Sequence, residues 1–176
     1  TIVRNEIVDT DPTGNGFVGE FASLALFANG QPAISYFDRS AGVLKYALRN
    51  ELTGQWQQDT VYRAAGFQVG QFSQLAIGND QIPQIGFRFP ANNFLMYARR
   101  PLGKPWQVDT VLVGTAGNVG APLVLRLDSL DQPWIVYNVG AETNVVQLVY
   151  KSLTGLNRWV PVPVFNNRDQ IGVAFS

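Results

Sequence analysis

The side chains best suited to chemistry return at intervals of about fifty residues, Asp38 and Arg39 in YFDRSAG, Arg88 and Asn92 in FRFPANN, Asn138 and Glu142 in NVGAETN, with Asn167 and Arg168 close to them in VFNNRDQ. Carboxylates, amides and guanidinium groups offer directed donors and acceptors. Beside Tyr36, Phe89 and Tyr137 they suit a hydroxyl-rich ligand held by hydrogen bonds and ring stacking. Catalysis asks for more, since glycoside hydrolysis needs two carboxylates at a set separation. Asp38, Glu142, Arg39, Arg88 and Arg168 come from four loops and share no spacing that fixes such a pair. The units also differ, with Phe89 standing where Asp38 stands, so one polar site copied into each unit is not expected. These residues imply a non-catalytic recognition surface for a glycan or a protein.

Composition removes several other chemistries. The chain of 176 residues has no Cys and no His, which excludes thiolate nucleophiles, disulfides, imidazole bases and the usual zinc ligands. Thirteen basic and thirteen acidic residues cancel without a run of either sign, so the field that would recruit nucleic acid or an anionic membrane is missing. No apolar stretch reaches the length of a membrane-spanning helix. DPTGNGFVG at 11–19 is glycine-rich but lacks the lysine and following helix of a phosphate cradle, and no cofactor is expected. The absence of cysteine is compatible with an exported bacterial protein, extracellular or periplasmic.

The elements that must position the candidate residues repeat with them. FVGEFASLAL, QVGQFSQLAI, NVGAPLVLRL and QIGVAFS align on Gly19, Gly70, Gly120 and Gly172, at spacings of 51, 50 and 52. Within each unit an apolar run is followed by a turn ending in Pro32, Pro83 or Pro133. Then come an alternating segment (PAISYF, PQIGFR, PWIVYN), a second one (LKYAL, LMYAR, LVYKS) and a segment headed by Trp56, Trp106 or Trp159. Pieces of four to seven residues rich in β-branched and aromatic types, bounded by Gly, Asn, Asp and Pro, are strands. Four strands per fifty residues is the arithmetic of a propeller blade. The expected fold is all-β, a propeller segment of about three four-stranded antiparallel blades, with a β-trefoil as the alternative. The expected division is an outer strand within 1–19, blades at 20–70, 71–120 and 121–172, and the start of another at 173–176.

The pattern SLALFANGQPAISYFD…LKYALRN…W..DTV resembles the blade repeat of bacterial β-propellers related to the sialidase-like and lectin-type propellers, over nearly the whole chain. NELTGQW lies where the sialidase-type Asp-box turn would fall, with Leu52 or a neighbour in place of its Asp. The resemblance implies a binding module, with a fragment of a sialidase-like glycoside hydrolase as the other reading. Within such a blade the three tryptophans cover gaps between adjacent twisted sheets. Asp59 and Asp109 are expected to face solvent and guard an outer edge strand. RNEIVDT at 4–10 copies an outer strand, and the unmatched ends predict association with further blades, in a homo-oligomer or a longer chain.

Overall fold

The computed structural model describes residues 5–12, 14, 16–113, 119, 121–139, 145–152 and 158–162. Twelve strands form three separate four-stranded antiparallel sheets, each running in chain order from inside to outside. The first blade comprises β1 (Val18–Leu26), β2 (Pro32–Asp38), β3 (Val43–Arg49) and β4 (Trp56–Tyr62). The second comprises β5 (Gln71–Ile77), β6 (Pro83–Phe89), β7 (Phe94–Arg99) and β8 (Gln107–Val113). The third comprises β9 (Leu123–Leu127), β10 (Pro133–Val139), β11 (Val145–Lys151) and β12 (Trp159–Val162). The one helical element among the described residues is a 3-10 turn at Pro90–Asn92. Separate sheets replace the shared capped barrel that a trefoil requires. Each proline of the expected trio, Pro32, Pro83 and Pro133, opens a second strand, where its missing N–H interrupts the ladder least.

Packing between blades follows from the two-residue alternation of strands. One face of β3 carries Leu44 and Tyr46 into a core shared with Ile85, Phe87 and Met96 of the second blade. One face of β7 carries Leu95 and Tyr97 into a core shared with Leu123, Leu125 and Ile135 of the third. The fit is close at Gly70, whose φ is +111° and where a Cβ would lie 2.7 Å from Leu44 Cβ. Inner strands β1 and β5 lie side by side without ladder bonds between them. Serines bridge them: Ser73 Oγ donates to the Phe21 carbonyl at 2.8 Å, and Leu75 N donates to Ser23 Oγ at 3.0 Å.

Residues 5–10, the expected outer strand, adopt no strand structure. They nevertheless lie along the first blade and fill an outer strand's electrostatic role. Asp9 accepts from Tyr36 Oη at 2.6 Å and from Lys45 Nζ at 2.8 Å, and Gln58 Nε2 donates to the Val8 carbonyl.

Candidate functional site

A related contact closes both described blade junctions near the outer rim: a cation from one blade pairs with an aspartate of the blade before it, beside an edge-on Tyr–Trp pair. Between the first two blades, Arg100 Nη1 lies 2.9 Å and Trp106 Nε1 3.0 Å from Asp59 Oδ2. The Arg100 guanidinium sits 4.9 Å from the Tyr46 ring centre and 5.0 Å from that of Trp106. Trp106 meets Tyr46 edge-on at 5.3 Å. Between the second and third, Lys151 bonds Asp109 and lies 5.8 Å from the Tyr97 ring, which Trp159 meets edge-on at 5.0 Å. On the first blade Glu6 supplies the acid, bidentate to Arg49 at 2.8 and 2.9 Å and 3.1 Å from Trp56 Nε1. Asp59 and Asp109 therefore do more than guard an edge. Each joins its outer strand to the next blade, and Asp59 keeps the partly exposed side chain that an edge residue has.

A second contact links the loops at one end of the blades. Position 30 of the first unit, position 81 of the second and position 131 of the third all have left-handed backbones, with φ of +84°, +59° and +60°. Gly30 adopts this freely, but Gln81 and Asp131 bear the cost of a Cβ there. Each reaches back to the preceding blade's loop. Ala28 N donates to Gln81 Oε1 at 2.7 Å, while Asn79 N and Asp80 N donate to the Asp131 carboxylate at 2.7 and 2.8 Å. Asp131→Gly relaxes the backbone and removes only the clasp. It is expected to lower the unfolding free energy by about 1–3 kcal/mol. An unchanged urea midpoint would show that the two hydrogen bonds add nothing.

These two contacts frame a cleft of about 450 Å³ between the first and second blades. Phe27, Gln31 and Leu48 form its first-blade wall; Asp80, Gln81, Ile82, Arg100, Leu102 and Lys104 form the other. Leu102 is 97% exposed at the rim. Asp59 neutralises Arg100, so the free charges are those of Lys104 and Asp80, of opposite sign. An apolar wall with an amide, a carboxylate and an ammonium suits a neutral polyhydroxylated ligand.

The candidate residues read from the sequence lie elsewhere. Asp38 is 3% exposed, with Lys45 Nζ 2.8 Å from one carboxylate oxygen and Ala41 N donating to the other at 2.9 Å. Arg39 is exposed, paired with Glu20 at 2.8 Å and lying over the Phe17 ring. Arg88 is half-buried on the face of β6 that Gly86 presents to Leu123, and burial pushes its guanidinium down from the ordinary arginine value. Asn92 is exposed in the 3-10 turn, where neighbouring Asn93 accepts from Val119 N at 2.8 Å. Asn138 is half-buried, near the end of β10. None of these five lines the cleft, which opens at the opposite end of the blades. Glu142, Asn167 and Arg168 lie outside the described residues. The junction cations went unnoticed although Arg49, Arg100 and Lys151 recur at spacings of 51 and 51, each at the third strand's end.

Fold and junctions together define an all-β protein of propeller type. Among solved structures it is similar to a fucose lectin from Kordia zhangzhouensis in complex with methyl-fucoside, with a TM-score of 0.52 and 15% identity over 83% of this chain and 99% of that one. It is also similar to an exo-beta-1,3-galactanase from Phanerochaete chrysosporium with galactose, at a TM-score of 0.56 and 12% identity over 89% of this chain and 40% of that one. An ulvan lyase gives 0.55 and 17%, over 78% and 36%. This chain therefore spans under half the length of the two enzymes. At such identities the likeness is one of fold. No protein-family model and no curated protein sequence matches the chain. Among the described residues no helix is long and apolar enough to cross a membrane.

Proposed function

We propose that this protein is a non-catalytic glycan-binding module whose site is the cleft between the first and second blades. The observation that carries the reading is the cleft's pairing of an apolar wall with Gln31, Asp80 and Lys104, at a volume suited to one or two sugar rings. The fucoside on the similar lectin and the galactose with the similar galactanase support a saccharide as the ligand class. An extracellular or periplasmic location fits that ligand. Leu102 and Lys104 are exposed, so Leu102→Ala with Lys104→Ala leaves the fold intact. On a glycan array the full chain is expected to retain at least one neutral saccharide, and the double variant to lose it by about tenfold or more. Binding equal in both proteins would remove the cleft from the account.

A second observation favours assembly as well. Leu24 and Leu26 are 62% and 58% exposed, whereas Leu75 and Leu125, at Leu24's place in the other blades, are 6% and 0% exposed. The face of the first blade that matches the buried faces of its neighbours is open, and we assign it to a further blade. Light scattering on the 176-residue chain is expected to show a species larger than 19.4 kDa, reduced to monomer by Leu24→Asp. A monodisperse wild-type monomer would overturn the assignment of that face to a further blade.

A further inference from the structure

We propose that the junction between the second and third blades, at the end that carries the β7–β8 loop, binds an oxyanion, the carboxylate or sulfate of an acidic sugar. The sugar part of this assignment rests on the glycan reading above; the oxyanion part stands on its own geometry. Arg99 follows Tyr97 by two residues on β7 and so shares its face. Tyr97 packs on Trp159, which puts Arg99 toward the third blade. At the matching place in the first blade stands Leu48, which lines the neutral cleft.

The two junctions differ in how their donors are satisfied. In the first, Trp106 Nε1 gives its proton to Asp59 and an apolar leucine occupies the cleft wall. In the second, Arg99 Nε and Trp159 Nε1 are both buried from solvent, and among the described residues neither has an acceptor. Asp109, the counterpart of Asp59, is held by Lys151 instead. The Asp131 carboxylate is committed to two backbone N–H groups, and among the described residues no carboxylate pairs with Arg99. Buried N–H donors are almost always paired in folded proteins. Two unpaired donors in one junction, one of them on a guanidinium that no carboxylate of the described residues meets at ion-pair distance, suit an acceptor that carries negative charge. A planar carboxylate or a sulfate meets a guanidinium with directional bonds that water does not match.

Titration of the full chain with methyl β-D-glucuronide, inorganic sulfate and methyl β-D-glucoside tests this, followed by calorimetry and by the Trp159 indole N–H resonance, identified with Trp159→Phe. Glucuronide and sulfate are expected to bind and to move that resonance while the Trp106 signal stays in place. Arg99→Leu, which copies the first blade, is expected to weaken both by about tenfold or more. Should that variant not fold, Arg99→Lys keeps the charge, removes the Nε donor and should weaken both by about threefold or more. Binding of the glucoside as tightly as the glucuronide, a shift unaffected by either Arg99 variant, or no shift at all would overturn the oxyanion site. Sulfate binding without glucuronide binding would overturn the acidic sugar. Because the readout is at Trp159, failure of the neutral cleft leaves this result separately legible.

Discussion

Trp106→Ala is expected to lower the unfolding free energy by about 2–4 kcal/mol, somewhat less than emptying a fully buried aromatic site because the ring is half-buried. The ring is only part of what is lost. It meets Tyr46 of the first blade at 5.3 Å, supports the Arg100 guanidinium at 5.0 Å and donates to Asp59 at 3.0 Å, so its removal loosens one blade from the next. Trp56→Ala should cost less, about 1–2 kcal/mol, because Trp56 Nε1 grips only Glu6 in a segment without strand structure. Chemical denaturation of both variants checks the ordering. Equal losses would mean that the junction between blades adds nothing beyond the burial of each ring.

Lys45→Met is expected to cost about 2–3 kcal/mol at neutral pH, a figure reduced from that of a fully buried pair because the Lys45 side chain is 20% exposed. Lys45 Nζ stands 2.8 Å from both Asp9 and Asp38, so its removal leaves two largely buried carboxylates facing each other. Burial pushes the Lys45 ammonium down, but its hydrogen bonds to Asp38 and Asp9 outweigh this and hold it above the ordinary lysine value. Burial likewise pushes Asp9 up, and hydrogen bonds from Lys45, Tyr36 and the Thr10 N–H outweigh it and hold the carboxyl below its ordinary 3.8. A depressed carboxylate contributes stability above its unfolded value and loses it as pH falls through the folded one. The gap between wild type and Lys45→Met should therefore be full at neutral pH and shrink below about pH 4. A gap that stays constant from pH 7 to pH 3 would mean that the cost is packing rather than charge.

Much of the fold was legible because each blade repeats its own grammar. Gly19 and Gly70 hold positive-φ backbone where the inner strands begin, Pro32, Pro83 and Pro133 open the second strands, and the tryptophans stand at or just before the start of the fourth. The residues that join the blades were harder to read, because an interaction between units has no local period. Asp59 looks like an edge-strand charge until Arg100, 41 residues later, is seen beside it. Asp38 looks like a loop carboxylate, yet it closes β2 and is buried, held by Lys45 of the adjacent β3 and by the Ala41 N–H. Tyr36 and Phe89 are core residues of their blades rather than rings offered to solvent. The cleft was missed for a similar reason. Its walls come from the β1–β2, β5–β6 and β7–β8 loops at the other end of the sheets, and no single loop there has the composition of a binding motif.

Backbone chemical-shift mapping with a neutral saccharide retained on the glycan array tests the central claim most directly. The account predicts perturbations concentrated in residues 27–31, 78–83 and 100–104, which border the cleft between the first and second blades. Perturbations concentrated instead around Arg39, Asn92 and Asn138, at the opposite end of the sheets, would contradict it.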